Sequence, residues 1–161
     1  MTISLTPIAT VTSPRAAHLD DFWRDVSAVI TLSESLDAAA FAGIEAFSHL
    51  EVIFFMDRVA PEKIHRGARR PRNNPDWPEV GIFAQRARSR PNRLGLSRCR
   101  LLRAEGRTLW VADLDALDGT AILDIKPLMV ECLPADPIRQ PDWSGELMAN
   151  YYRPTSEDHR Q

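Results

Sequence analysis

Residues 80–97 have the sequence VGIFAQRARSRPNRLGLS, which begins and ends with apolar residues and carries four arginines between them. Pro91 fixes its own φ angle and removes a backbone donor, while Asn92 and Gly95 tolerate conformations that most residues avoid. The pattern predicts a shaped loop between two strands, residues 81–85 and 96–103. Loop arginines are typical both of anion-binding sites and of ordinary solvated surfaces, and this stretch alone favours neither.

The rest of the chain adds short strands to these two. Alternating or dense apolar residues predict further strands at residues 3–11, 26–32, 49–56, 107–112 and 121–125. One main amphipathic helix is expected over residues 35–47, and a short C-terminal helix over residues 143–152 packs its aromatic side chains onto the body. No βαβ rhythm and no glycine-rich strand-to-helix turn occurs. The sequence therefore favours a mainly β fold, most simply a small β-barrel, over a Rossmann fold.

Length and composition fit one domain. The chain has 161 residues, of which 44% are hydrophobic and 26% charged, as in an ordinary soluble globular protein. We expect a single domain over residues 1–152 and a disordered tail over residues 153–161. The longest apolar run, residues 52–56, is too short to cross a bilayer and no signal-like start occurs, so the expected location is the cytoplasm, with no membrane partner.

The net charge of −2 conceals a basic segment. Between Lys63 and Arg103 there are twelve Lys or Arg residues and only two carboxylates, Asp76 and Glu79, which gives this segment a charge of +10. Such a concentration is typical of surfaces that bind phosphate backbones. The equally weighted alternative is a solvated face that acidic neighbours or a second subunit neutralise.

The cysteines and histidines predict no metal site. Cys99 lies in a strand-like run, where a buried thiol is expected, and two cysteines make no disulfide framework. The four histidines, at positions 18, 49, 65 and 159, show no ligand spacing.

A second segment, residues 114–127, places a Gly-Thr turn and three carboxylates beside a short apolar strand. Together with residues 80–97 it resembles the TsaA-like, or YaeB-like (TrmO), family of S-adenosylmethionine-dependent tRNA methyltransferases. The resemblance covers most of residues 3–135. The matching motifs are Gly81-Ile82-Phe83-Ala84, Arg86, Arg90-Pro91-Asn92, Gly95, Asp118-Gly119-Thr120 and Asp124-Ile125-Lys126-Pro127.

This resemblance implies a β-barrel, a homodimer, S-adenosylmethionine as cofactor and tRNA as substrate. The implied reaction is N-methylation of the threonylcarbamoyl-modified adenosine next to the anticodon. Arg86 would pair with the methionine carboxylate of the cofactor, Leu96 would cover the adenine, and Asp115 would lie near the ribose or the cationic groups. The resemblance also implies cofactor contacts by Ala112, Asp113 and Leu114, and RNA contacts by Arg88, Arg90, Asn92 and Arg93.

The chain departs from the family pattern in three places. One is the C-terminal extension of many bacterial members, which is not expected here. The family's Pro-Arg-Gln segment is replaced by Asp20-Asp21-Phe22-Trp23, and the His-Gln that ends its central strand is replaced by Asp57-Arg58. Trp23, Asp57 and Arg58 are the expected substitutes at the cofactor, and no catalytic residue is assigned. Two alternatives stay open: a methyltransferase acting on a small molecule, and a non-catalytic module that binds S-adenosylmethionine or RNA.

Overall fold

The computed structural model describes residues 2–154 and shows a closed six-stranded antiparallel barrel. This confirms the mainly β, non-Rossmann prediction. The strands, in chain order, are β1 (Ala9–Thr12), β2 (Ser27–Leu32), β3 (His49–Phe55), β4 (Ala68–Arg69), β5 (Val80–Gly81), β6 (Leu94–Glu105), β7 (Thr108–Ala112) and β8 (Ala121–Pro127). The order around the barrel is β1-β2-β7-β6-β3-β8, and β4 pairs with β5 outside it.

The barrel interior is filled by alternate side chains of its strands. In β3, Leu50, Val52 and Phe54 are buried while their neighbours are partly exposed, because successive side chains of a strand point to opposite faces. These residues join the hydrophobic core with buried residues of the other barrel strands, among them Val11, Ile30, Cys99, Leu109 and Ile122.

Gly95 lies directly across from Phe54 in the pairing of β6 with β3. Its φ angle is not positive; the left-handed conformation falls instead on Arg93, at φ 52°. A Cβ atom on Gly95 would lie 2.3 Å from the Phe54 ring. The glycine is therefore needed for the space above its backbone and not for a turn.

The helical segments are shorter than the sequence predicts. Instead of one α-helix over residues 35–47, the chain forms two 3-10 helices, Ala38–Phe41 and Ile44–Ala46. Gly43 separates them at φ 83°, a left-handed angle that cannot continue a right-handed helix. The predicted C-terminal helix is present as α1 (Asp142–Met148).

Two predicted strands are also shorter. The first begins only at Ala9, and the strand predicted over residues 81–85 stops at Gly81 and continues as a 3-10 helix, Ile82–Ala84. The side-chain amide of Gln85 donates to the carbonyls of Arg69 and Val80, both at 2.9 Å, which holds this turn against the β4–β5 pair.

Most of the predicted tail, residues 155–161, lies outside the described residues. Within residues 2–154, no helix combines the length and the apolar character needed to cross a membrane.

Candidate functional site

Three of the residues predicted to contact a cofactor line one cavity. It has a volume of about 350 Å³, which falls within the roughly 300–1,000 Å³ range of small-molecule sites. Arg86 comes from the loop before β6, Leu96 from β6 itself and Asp115 from the segment after β7. The remaining lining residues are Arg98, Met148, Tyr151 and Tyr152.

The alternation of β6 explains which of its side chains reach the cavity. Ser97 and Cys99 are buried on the core face, so Leu96 and Arg98 project from the opposite face of the strand. Burial, with a contribution from nearby Asp115, raises the pKa of Cys99 to about 12. Its thiol stays protonated and serves as core packing, as the sequence predicts.

Asp115 lies between two core residues, Leu114 and Ala116. Hydrogen bonds to its backbone N–H and to one of its carboxylate oxygens hold it in place. Its N–H donates to Ser97 Oγ at 3.4 Å, and the Tyr151 hydroxyl donates to its Oδ2. Its Oδ1 is buried and has no hydrogen-bond partner among the described residues. Because a buried carboxylate oxygen without a donor is costly, this atom is suited to receive a donor from a ligand.

Arg86 borders the same cavity from the solvent side. One of its guanidinium nitrogens donates to the Leu96 carbonyl at 2.6 Å, which fixes the side chain against β6. A guanidinium has five N–H donors, so the others are available to an anionic group of a ligand.

Tyr151 and Tyr152, the only tyrosines in the chain, both lie at this cavity. Their rings meet edge to face with centroids 5.0 Å apart. Burial and the neighbouring Asp115 carboxylate raise the pKa of Tyr152 to about 12 and raise that of Tyr151 as well. Both phenols are therefore protonated near neutral pH, and Tyr151 is the donor in its bond to Asp115.

Sequence reasoning placed these tyrosines on a terminal helix packed against the body, but not in the site. The only local signal was a pair of adjacent aromatic residues in an otherwise polar stretch. Nothing in that stretch specifies β6 as the surface against which it packs.

The other predicted cofactor residues do not line the cavity. Trp23 is buried, and the guanidinium carbon of Arg15 lies 4.6 Å from the centroid of the Trp23 ring. Arg58 donates to the carbonyls of Ala16 and Asp118 and so joins two loops. Two of the remaining predicted residues, Ala112 and Leu114, are buried, and the backbone carbonyl of Asp57 accepts a long bond, 3.5 Å, from Arg93.

Asp113 has a structural environment of its own. It is buried and has a φ angle of 70°. Its carboxylate accepts hydrogen bonds from the backbone N–H of Asp25 at 2.7 Å and from Arg100 Nε at 2.8 Å, and it forms an ion pair with Arg24 at 3.7 Å. Burial alone would raise the pKa of this carboxyl, but the bonds from Arg100 and Asp25 outweigh burial and lower it. Asp113 therefore joins β6 to the segment before β2.

The predicted RNA-binding residues divide into exposed and internally bonded side chains. Arg88 and Asn92 are exposed and Arg90 is half-buried. Arg93 lies over the Phe55 ring at 4.5 Å and donates to the Val59 carbonyl at 3.0 Å, so it braces the loop.

Acidic side chains neutralise part of the basic segment. Among the described residues, four of its twelve cations pair with carboxylates that lie outside the segment. The pairs are Arg72 with Asp21, Arg98 with Glu51, Arg100 with Asp113, and Arg103 with Glu105. No group of three or more potential metal ligands occurs in residues 2–154.

The family model for the tRNA-methyltransferase O N-terminal domain matches residues 9–132. A probable S-adenosyl-L-methionine-binding protein of Methanothermobacter thermautotrophicus is 36% identical over 135 residues, which cover 79% of this chain and 90% of that protein. The human tRNA (adenine(37)-N6)-methyltransferase is 29% identical over 114 residues, covering 71% of this chain and 25% of that protein.

A crystal structure of TrmO from Pseudomonas aeruginosa has a TM-score of 0.68 at 27% identity, covering 88% of this chain and 61% of that one. The chain spans between 34% and 38% of the length of the first curated relatives it matches.

Proposed function

Because the chain belongs to the family of the tRNA-methyltransferase O N-terminal domain, we propose that it binds S-adenosylmethionine beside β6 and methylates a tRNA. The observation that carries the proposal is the meeting of Arg86, Leu96 and Asp115, from three separate segments, in one cavity. The names of two relatives add support, since one is a probable S-adenosyl-L-methionine-binding protein and the other a tRNA methyltransferase.

The cavity fits the chemistry of this cofactor. S-adenosylmethionine has a carboxylate, a cationic ammonium, a cationic sulfonium and a flat adenine. Arg86 has free donors for the carboxylate, and the unpaired Oδ1 of Asp115 would accept from a cationic group or a ribose hydroxyl. Leu96 and Met148 would give the adenine an apolar wall.

Positioning is the main task of these residues in methyl transfer. When bound, S-adenosylmethionine supplies an electrophilic methyl group, and displacement requires the acceptor nitrogen to be aligned with it. The acceptor also loses a proton. Tyr151 and Tyr152 remain protonated near neutral pH, so neither phenol takes up this proton. Asp115 is the one carboxylate among the described lining residues.

The specific substrate we propose is the threonylcarbamoyl-modified adenosine next to the tRNA anticodon, as the family resemblance implies. The exposed Arg88 and Asn92, with the half-buried Arg90, are the proposed phosphate contacts. They lie in the loop that leads from Arg86 at the cavity to β6.

A homodimer in the cytoplasm is also part of the proposal. Exposed apolar side chains on the described surface, Phe83, Val130 and Ile138, provide area that a second copy would cover. Light scattering of the purified chain should give twice the monomer mass, and a monomer mass at micromolar concentration would remove the dimer from the proposal.

Calorimetric titration with S-adenosylmethionine tests cofactor binding. Arg86→Ala should weaken binding by about 1.5–3 kcal/mol, the range for a hydrogen bond to a charged group, or roughly 10- to 150-fold. Arg103→Ala is the control, because Arg103 is an exposed arginine on β6 that bonds to Glu105 and does not line the cavity. Equal affinity of wild type and Arg86→Ala would exclude Arg86 from the site.

Transfer is tested with labelled cofactor and tRNA from a strain that lacks the methyl mark. Label in the modified adenosine would establish the substrate.

The second candidate, a non-catalytic module, is favoured by the carboxylate pairing of Arg72, Arg98, Arg100 and Arg103, which weakens the basic face. Cofactor binding without transfer to any RNA or small-molecule amine would support that candidate.

A further inference from the structure

The C-terminal segment, defined here as residues 142–154, forms one wall of the candidate cavity. Met148, Tyr151 and Tyr152 all line it, whereas the family match ends at residue 132. This wall therefore lies outside the residues that the family model matches. A role of these residues at the cofactor rests on the proposed function.

Backbone hydrogen bonds attach the C-terminal segment to the segment before β2. The N–H of Phe22 donates to the Asn150 carbonyl at 3.0 Å, and the N–H of Trp23 donates to the Tyr151 carbonyl at 2.8 Å. Arg24 continues this contact as a parallel bridge to Pro154. The segment that includes Asp20-Asp21-Phe22-Trp23 thus holds the C-terminal segment against the cavity.

Side-chain hydrogen bonds hold both the segment before β2 and the C-terminal segment in place. Arg72 forms a two-pronged bond to Asp21, at 2.7 and 2.8 Å, and Trp77 Nε1 donates to Glu146 Oε2 at 2.7 Å. Trp23 is buried, which anchors its backbone close to Tyr151. The C-terminal segment is therefore bonded to the barrel's loops on two sides.

Tyr151 determines which carboxylate oxygen of Asp115 lacks a partner. Its hydroxyl bonds to Oδ2, which leaves Oδ1 as the buried, unpaired oxygen. Tyr152 packs edge to face on Tyr151 and keeps 40% of its surface exposed where it lines the cavity. An aromatic face beside a carboxylate oxygen is a favourable environment for a cationic group.

We propose that the C-terminal segment completes the ligand site, with Tyr151 as a positioning residue that orients Asp115 and Tyr152 as a contact wall. The ligand class is a nucleoside that carries a cationic side chain. Such a ligand satisfies Oδ1 of Asp115 with its cationic group and packs against the Tyr152 ring.

Tyr151→Phe tests the positioning role by comparing two ligands in calorimetric titrations of the full chain. S-adenosylmethionine carries the cationic groups, whereas 5′-methylthioadenosine has the same nucleoside without them. The substitution should weaken binding of S-adenosylmethionine about tenfold, or 1.4 kcal/mol, and change binding of 5′-methylthioadenosine less than about twofold. Equal losses for both ligands, or no loss for either, would overturn the positioning role.

Tyr152 offers a matched pair of variants. Tyr152→Ala removes the wall and should weaken binding of both ligands, whereas Tyr152→Phe keeps the ring and should weaken binding less than Tyr152→Ala does. Unchanged binding by Tyr152→Ala, with a wild-type circular dichroism spectrum, would show that Tyr152 is not part of the site.

The outcomes also separate this inference from the proposed function. If wild type binds S-adenosylmethionine and the tyrosine variants bind it equally well, the inference fails and the proposed function stands. If the wild type binds neither ligand, both the proposed function and this inference are wrong.

Discussion

Gly95→Ala should destabilise the protein, because its new methyl group would occupy the space of a core aromatic ring. Three ring atoms of Phe54 would lie 2.3, 2.3 and 2.8 Å from the added Cβ. Carbon atoms in contact normally lie about 3.5–4.0 Å apart. The ring or the strand must therefore move by more than about 1 Å to restore an ordinary contact.

The magnitude follows from how little room Phe54 has. The ring is buried in the barrel core beside Leu50 and Val52 on the same strand, and overpacking a close-packed core typically costs about 1–3 kcal/mol. Replacing a strand glycine by alanine regains about 0.5–1 kcal/mol of backbone entropy. We expect a net loss of about 1–2 kcal/mol in the free energy of unfolding, or about 2–8 °C in Tm.

Urea unfolding followed by circular dichroism measures this loss. The control is Gly81→Ala, since Gly81 has φ −57° and no atom within 4 Å of an added Cβ. That variant should be neutral or stabilised by up to about 1 kcal/mol. In a Phe54→Leu background the cost of Gly95→Ala should fall, because the ring atoms are gone. Equal stabilities of the Gly95 and Gly81 variants would refute the steric explanation.

Three further predictions concern the scaffold and the site. Arg107 donates to the carbonyls of Leu32, Leu36 and Ser33. Arg107→Ala should therefore lower the free energy of unfolding, measured by urea titration, by about 1–2 kcal/mol. Arg107→Lys should restore only part of this stability. Asp113 has a lowered pKa in the folded state, so it stabilises the protein above the ordinary carboxyl pKa and loses this effect as the pH falls through the folded value. The wild type should be more stable than Asp113→Asn by roughly 1–2 kcal/mol, and this difference should shrink below about pH 4. A difference that stays constant with pH would contradict this. The raised pKa values of Tyr151 and Tyr152 stabilise the fold below the ordinary tyrosine value of about 10, and this stability is lost as the pH rises through the folded values. Phenolate absorbance should therefore stay absent near pH 10, whereas a full titration there would show that both phenols are exposed.

The barrel was predictable because its strands alternate strongly. β6 and β7 show period-two burial and pair as an antiparallel hairpin through a turn with Gly106 at φ 56°. The strand over residues 81–85 was not predictable from the same signal. Ile82 is the only apolar side chain buried in residues 81–85, while Phe83 is 76% exposed, so this apolar run contains one anchoring residue and does not form a strand face.

The site was partly predictable, for reasons that differ among its residues. Arg86, Leu96 and Asp115 lie in or beside motifs that resemble a family, so they were identified without knowledge of the fold. The contact between Tyr151 and Asp115 spans 36 residues and depends on how the end of the chain packs. No local pattern carries that information.

The substitution of Asp20-Asp21-Phe22-Trp23 illustrates why a matching sequence position does not fix a side chain's role. We expected Trp23 at the cofactor because it occupies a segment that contacts the cofactor in the family. Here the indole is buried under Arg15, and it is the backbone N–H of Trp23 that reaches the Tyr151 carbonyl. The Asp21 carboxylate is already paired with Arg72 through both of its oxygens. The altered segment thus acts on the cavity through the chain's own C-terminal segment, which makes the tyrosine variants the sharper test of how this site differs from its relatives.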